Sequence, residues 1–308
     1  MPITDSHVLV TGGGGFVGSH LVERLLAEGN DVRVVDNLSN GTESWISEEA
    51  ELVVGDLTDQ ATLDEAVTPD IDLVFHLAAD KDASRDDIAQ FRSNNRLTEE
   101  LIEQMEAVGV DKIAFTSSST VYGEAPRPTP EDYAPLEPIS IYGAGKLAEE
   151  ALLSVYGHSH EFTVWNFRFA NVVGSRLRGA VVPDFIEKLR EDPTTLEILG
   201  DGRQEKSYLY IDDCIDAMLT VVGETDDPVN TFNLGTRTTT SVDRIASIVA
   251  DEMGVDPDRE YTGGRRGWTG DVPKMRLSIE KLSALGWEPT VSSDEAIRKT
   301  TRILLEEL

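Results

Sequence analysis

The stretch "VLVTGGGGFVGSHLVERLLAEG", Val8 to Gly29, carries more glycine than one turn needs. The apolar run "HVLVTG" meets the glycines and is followed by apolar residues at Phe16, Val17, Leu21, Val22, Leu25 and Leu26. That order reads as strand, turn, amphipathic helix, and Gly29 stands where a helix C-terminus takes a left-handed residue. Gly13, Gly15 and Gly18 give the spacing G-x-G-x-x-G, whereas Gly12, Gly15 and Gly18 give G-x-x-G-x-x-G. Either spacing brings backbone amides and a helix N-terminus up to a pyrophosphate. The glycines alone do not choose between them.

Outward from this run the alternation continues. "DVRVVDN", "ELVVGD", "IDLVFHLAA" and "DKIAFTSSS" read as strands, with "ATLDEAV" and "RLTEELIEQMEAVG" as helices between them. Repeated strand-helix-strand units call for a parallel sheet covered on both faces, and right-handed crossovers make the α/β, Rossmann-type doubly wound fold the expectation. Asp36 ends the second strand about twenty residues beyond the glycines, where a carboxylate accepts from an adenosine ribose and repels a 2′-phosphate, which favours NAD over NADP. Asp56 ends the third strand, placed either to meet the adenine edge or to cap the next helix.

After Ser119 the rhythm breaks into a loop with Pro126, Pro128, Pro130, Pro135 and Pro138, which excludes regular structure and suggests a functional edge or lid. A helix is expected from near Ser140, then "FTVWNFRFANVVG" as a strand running into a loop. From about Val173 the rhythm loosens into a smaller α/β region. The expected division is 1–172 as the dinucleotide-binding domain, with 204–238 packing back onto it, and 173–308 as mainly a substrate-binding region.

Composition excludes several classes. Of 308 residues 40% are hydrophobic and 27% charged, without repeats or low-complexity runs, as in a globular chain. Fifty-seven acidic against 27 basic residues leave a net charge of -30, a field that repels nucleic acid. The acidic residues are dispersed, which fits a surface solvated at high salt and a halophilic source. No apolar run is long enough to cross a membrane, and "MPITDSHVLV" lacks a basic or long apolar leader, so a cytoplasmic location is expected. Cys214 is the only cysteine, which rules out an internal disulfide and any cysteine-built metal site. His158 and His160 lack a third ligand, and no metal is expected. His76 reads as structural.

In "SIYGAGKLAEEALLSVY", Tyr142 and Lys146 are four apart on a helix and share a face. A phenol with a pKa of about 10 is too weak an acid to serve at neutral pH, and a nearby ammonium favours its phenolate. Tyr142 then suits acid/base work on a hydroxyl or carbonyl. Gly143 and Gly145 each cost a helix about 1 kcal/mol, which suggests that something approaches Tyr142 closely.

The chain resembles the extended short-chain dehydrogenase/reductase superfamily, and within it the nucleotide-sugar epimerases. The resemblance is carried in order by "TGGGGFVGSH", "VVDNLSNG", "GDLTD", "HLAA", "SSSTVYG", "YGAGK", "RFANVVG", "GDGRQEKSYLYIDD" and "RRGWTGDVP". It selects the register Gly12, Gly15, Gly18, with Phe16 and Val17 supplying amides near the pyrophosphate, and leaves Gly13 and Gly14 as permissive turn positions. It further implies Asp36, Asn37 and Asn40 on the ribose, Asp56 and Leu57 on the adenine, and Leu77, Ala78, Ala79 and Lys81 along the cofactor. Asn94 matches an asparagine opening its helix, although the usual Gly-Thr ending is here Leu97-Thr98.

The same resemblance implies Ser118, Tyr142 and Lys146 as the catalytic set, with Lys146 on the nicotinamide ribose and lowering the tyrosine pKa. Ser119 and Thr120 stand where related dehydratases carry Asp-Glu, which disfavours dehydration. Asn171, Lys206 in place of the usual arginine, and Arg266 (with Arg265 as the alternative) would hold the diphosphate of the substrate. The activity implied is NAD-dependent C4 epimerisation of a UDP-sugar through a 4-keto intermediate, of the UDP-glucose/UDP-galactose type, in a homodimer. UDP-glucuronate decarboxylation or epimerisation, 4-keto-sugar reduction and a silent NAD-binding regulator are the alternatives.

Overall fold

Successive residues of the first strand feed two different cores. In the computed structural model, which describes residues 3–81 and 87–308, Val8 and Val10 enter one apolar cluster and Leu9 the other. Leu73 and Phe75 likewise face away from Val74, and Trp165 and Phe167 from Val164. This period of two, apolar on both faces, is what a fully covered parallel sheet requires.

The first half runs β1 (His7–Thr11), α1 (Phe16–Ala27), β2 (Asp31–Asp36), β3 (Glu51–Val54), α2 (Gln60–Ala66), β4 (Leu73–His76), α3 (Ile88–Val108), β5 (Lys112–Ser118), α4 (Ile141–Ser159) and β6 (Thr163–Phe169). It continues with β7 (Asn171–Val173), α5 (Val181–Glu191), β8 (Thr195–Ile198), β9 (Glu205–Lys206), β10 (Tyr208–Tyr210), α6 (Ile211–Glu224) and β11 (Val229–Leu234). The remainder is β12 (Thr240–Ser241), α7 (Val242–Met253), β13 (Asp258–Tyr261), β14 (Lys274–Met275), α8 (Glu280–Ser283) and α9 (Ser293–Glu307).

Seven strands form one parallel sheet in the order β11-β6-β5-β4-β1-β2-β3. β1 pairs with β2 on one side and β4 on the other. The chain therefore reverses its direction of winding at β1, and that reversal opens a crevice at the carboxyl ends of the strands. Helices α2, α3 and α4 cover one face through Leu63, Leu101, Ile102, Met105 and Leu153. Helices α1 and α6 pack together on the other face, and its core runs on into α5, α7 and α9. The fold is the expected α/β, Rossmann-type parallel sheet.

The segment "FTVWNFRFANVVG" differs from its expectation. It is two strands: β6 pairs with β5 and β11 in the main sheet, whereas β7 pairs with β10 in register Asn171↔Tyr208. The chain changes sheets at Ala170, whose N–H donates to the Leu234 carbonyl at 2.8 Å, so Asn171 lies on a strand that faces the C-terminal half. That half also holds a three-stranded sheet, β12-β9-β14. Residues 124–140 contain no helix or extended strand, and Thr129 alone bridges to Leu277.

Candidate active site

The glycine turn is built from three separate constraints. Gly12 has φ +70°, and a Cβ there would stand 2.8 Å from the Ala78 nitrogen. A Cβ on Gly18 would run into the Gly12 carbonyl oxygen, so the helix and the turn close on each other only without side chains. Gly15 is the N-cap of α1, and its missing Cβ would meet only the Gly12 oxygen, at 3.2 Å. No side chain caps α1, as none caps α5 or α6, whereas Ser or Asp side chains cap α2, α3, α4, α7 and α9. The first amides of α1, those of Phe16 and Val17 among them, are thus left for a ligand.

Gly13 corrects an expectation. It is not a permissive position, because a Cβ there would stand 2.6 Å from Cγ1 of Val34 on the neighbouring strand. Gly14 is constrained by a contact across the turn: its N–H donates to Asp36 Oδ2 at 2.9 Å, and a Cβ would lie 3.1 Å from that oxygen. Asp36 Oδ1 accepts from Leu38 N at 2.8 Å. The carboxylate proposed for the ribose also shapes the loop that presents it.

Around it, Asn37 donates from Nδ2 to Asp56 Oδ2 at 3.1 Å, and Asn40 is exposed. Asp56 Oδ1 accepts from the Thr58 amide at 2.9 Å and its hydroxyl at 2.7 Å. These bonds, the amide first, hold the Asp56 carboxyl below its ordinary range. The cap of α2 is Asp59, which accepts from Ala61 N, so Asp56 is not the helix cap. The Leu57 side chain belongs to the apolar core.

Beyond β4, Thr11 Oγ1 accepts from Leu77 N at 3.2 Å and from Ala78 N at 3.1 Å. Ala79 and Lys81 follow, and Lys81 is exposed. The Asn94 side chain is engaged with the backbone of Asp80, accepting from its N–H at 2.8 Å and donating to its carbonyl at 3.0 Å. Asn94 thus lies in the second turn of α3 and does not open it as expected; it holds the chain at Asp80, and the Leu97-Thr98 departure places the Thr98 hydroxyl one turn further into the core.

Ser118, at the end of β5, is the partly exposed member of its serine run. Ser117 is buried against Glu150, and Ser119 is buried as well. Ser118 Oγ accepts from the Thr120 amide at 3.2 Å and hydroxyl at 3.0 Å, which leaves its own proton to donate. Ser140 caps α4, its Oγ accepting from Gly143 N at 3.0 Å. The Thr120 carbonyl lies 2.8 Å from where a Cβ on Gly143 would stand. The close approach foreseen beside Tyr142 is therefore made at Gly143, by the chain's own backbone, whereas at Gly145 a Cβ would make only ordinary contacts with Phe91 and Asn95 of α3.

Tyr142 is partly exposed on the face of α4 that also carries Lys146. Lys146 is only 2% exposed, and its ammonium lies 4.4 Å from the Phe115 ring centre and 3.4 Å from Glu149 Oε2. Contrary to the expected direction, the Tyr142 phenol lies above its ordinary value, first because of burial, then because of the charges of Glu149 and Asp80. The direction is set by burial and two carboxylates, one of which, Glu149, lies beside the Lys146 ammonium.

Glu149 closes a buried polar chain. Thr11 Oγ1 lies 2.7 Å from His76 Nδ1, His76 Nε2 lies 3.1 Å from Thr98 Oγ1, and Thr98 donates to Glu149 Oε1 at 2.6 Å. Burial holds the His76 pKa down at about 3, so the imidazole is neutral. Since Thr11 already accepts two amides, its proton goes to Nδ1, His76 donates from Nε2, and every bond points towards Glu149.

On the substrate side each candidate cation has a carboxylate partner. Lys206 Nζ is 2.6 Å from Asp271 Oδ1 and 4.9 Å from the Trp268 ring centre. Arg266 pairs with Glu124, and Arg265 lies 3.6 Å from the same carboxylate. Gly270, with φ +80°, is packed against Ser140, a Cβ there standing 2.9 Å from the serine Cβ. This contact brings the loop bearing Arg266 and Asp271 to the start of α4. Asn171 stands opposite Tyr208 in the β7–β10 pair.

The family model described as NAD dependent epimerase/dehydratase family matches residues 8–235. The chain belongs to this family. It is 34% identical to the UDP-glucose 4-epimerase of Mycolicibacterium smegmatis over 307 residues, covering 95% of this chain and 96% of that one. It superposes on the crystal structure of a UDP-galactose 4-epimerase with a TM-score of 0.89 at 41% identity, over 98% and 99% of the two chains. The UDP-glucose 4-epimerase of Thermus thermophilus, solved in complex with NAD, matches with a TM-score of 0.87 at 32% identity, over 98% and 100%.

In this epimerase/dehydratase family member NAD is the cofactor, and the bare Gly12–Gly18 turn before an uncapped helix fits it. The sequence reading missed Glu149, although its i,i+3 spacing from Lys146 was available. It also missed Asp271 and Glu124, for which no local signal existed: they lie 65 and 142 residues from the cations they pair with.

Proposed function

We propose that this chain interconverts UDP-glucose and UDP-galactose by epimerisation at C4 through a transient 4-keto sugar, which makes it an isomerase. What supports this reading is that Tyr142 and Lys146 share a face of α4, whose Gly143 lies against the Thr120 carbonyl, two residues beyond Ser118 at the carboxyl end of β5. NAD, when bound, supplies the two-electron acceptor and donor for C4. Gly12, Gly15, Phe16, Val17 and Gly18 would hold its pyrophosphate, Asp36, Asn37 and Asn40 the adenosine ribose, Asp56 and Leu57 the adenine, and Leu77, Ala78, Ala79, Lys81 and Asn94 the path to the nicotinamide.

Ser118 donates to the sugar 4-oxygen and orients it. Tyr142 carries the 4-hydroxyl proton, taking it as C4 is oxidised and returning it when the other face is reduced; since burial and two carboxylates hold the phenol above its ordinary value, the phenolate would form with the positive nicotinamide of NAD beside it. Lys146 binds the nicotinamide ribose with its ammonium. Asn171, Lys206 and Arg266 anchor the diphosphate, sharing their charge with Asp271 and Glu124. Ser119 is buried and the Thr120 hydroxyl is bonded to Ser118, so neither position offers the acid that dehydration needs, which supports epimerisation.

The domain reading proposed is 1–172 with 204–238 for NAD and 173–308 mainly for the sugar nucleotide, in a cytoplasmic, halophilic homodimer. Incubation of the pure protein with UDP-glucose, UDP-galactose, UDP-N-acetylglucosamine and UDP-glucuronate, with resolved products, tests the function. The expected result is the same UDP-glucose/UDP-galactose mixture from either side. Carbon dioxide release from UDP-glucuronate without hexose interconversion would overturn it.

A further inference from the structure

We infer that Glu149 is a positioning residue of the reaction: its buried carboxylate fixes the Lys146 ammonium and offsets the field that this ammonium exerts on Tyr142. The inference rests on the proposed roles of Tyr142 and Lys146. Glu149 is 1% exposed, and among the described residues its Oε2 has no hydrogen-bond donor; it faces only the ammonium, 3.4 Å away. A charge withdrawn this far from water costs several kcal/mol unless it is paired and hydrogen-bonded, and a neutral side chain of similar length would fill the space without that cost. The elements around it meet the charge instead. Thr11 from β1, His76 from β4 and Thr98 from α3 form a chain whose protons all point at Oε1.

The groups facing the pair can be named from each element. On α4 itself these are Tyr142, Lys146 and Glu149; from β4 and the loop after it come His76, which is neutral, and Asp80, which raises the phenol; α3 offers the uncharged Thr98 and β5 the Phe115 ring. With Glu149 ionised, lysine and glutamate together carry no net charge. Tyr142 then ionises at a higher pH than Lys146 alone would set, and its phenolate is the stronger base for the sugar hydroxyl. The chain also begins at Thr11, one residue before Gly12, and so ties the placement of Lys146 to the turn that holds the pyrophosphate.

Ultraviolet tyrosinate absorbance of the NAD-loaded protein, titrated with pH and corrected with Tyr142→Phe, reads the midpoint of Tyr142 directly. In Glu149→Gln that midpoint is expected to fall by about one pH unit, and the acid limb of kcat/KM to move down with it. An unchanged or raised midpoint overturns the inference, since a carboxylate that merely filled space would leave the phenol where it was. Should Glu149→Gln fail to fold, Glu149→Met removes the same charge and carries the same expectation. The absorbance is independent of turnover, so a wild-type protein that does not interconvert UDP-hexoses would sink the proposed function while leaving this titration readable.

Discussion

Gly12 and Gly13 are adjacent, yet they are glycine for different reasons. Gly12 needs a left-handed backbone against Ala78, whereas Gly13 keeps clear of the Val34 side chain. Gly13→Ala should cost about 1–3 kcal/mol by overpacking, read from the urea midpoint, and Gly13→Ala with Val34→Ala should recover much of that loss. Additive losses in the two variants would show that the valine is not what Gly13 avoids. Tyr142→Phe keeps the ring and removes the proton carrier, so turnover of UDP-galactose should fall at least about a hundredfold with NAD still bound. Near-normal turnover would exclude Tyr142 as the acid/base. Tyr142 and Lys146 were legible in the sequence because they belong to a local spacing, whereas the register Gly12, Gly15, Gly18 came from the family resemblance and not from the glycines themselves. The direction of the Tyr142 shift was not legible, because it depends first on how deeply the phenol itself is buried, then on Glu149 and on Asp80 from another element.

At the scale of the element, α4, which carries Tyr142, has to be held against β5. Its anchor is a buried pair: Arg168 on β6 grips both oxygens of Glu150 at 2.7–3.2 Å, while Ser117 bonds the same carboxylate. Arg168 also donates to the Tyr122 hydroxyl at 2.8 Å and to the Glu131 carbonyl at 3.1 Å, which ties the proline-rich segment to the same post. Removing one partner leaves the other charge buried, so Arg168→Ala should cost about 3–5 kcal/mol. Its denaturant midpoint should fall far more than that of Arg237→Ala, whose partners Glu280 and Glu288 are solvent-exposed. Equal losses would mean that the α4 anchor is not the buried pair. The sequence announces α4 through Ser140 and its apolar stripe, but says nothing of the strand that holds it.

For the whole molecule, 57 acidic residues against 27 basic ones leave at least thirty carboxylates without a cation to match. Surface ion pairs such as Arg237 with Glu288 or Arg302 with Glu252 occupy part of the remainder. At low salt the excess repels itself across the fold, and at about 1 M the screening length shrinks to roughly 3 Å. The melting temperature should therefore rise from dilute buffer to molar potassium chloride. A melting temperature that is flat or falls with salt would exclude an adaptation to brine.

What the sequence determined by itself was whatever repeats within a few residues: the two-residue period of the strands, the glycine turn between strand and helix, the Tyr142–Lys146 face and the order of strand and helix. Those features depend on backbone geometry, which neighbours in the chain already share. Only the tertiary structure decided what each charge meets. Lys146 faces Glu149 within a chain that starts at Thr11, Lys206 meets Asp271, Arg266 meets Glu124, and Asn94 holds Asp80. Electrostatics acts through space, and the pairs that set this site are brought together by the sheet and its crossovers from elements up to 142 residues apart.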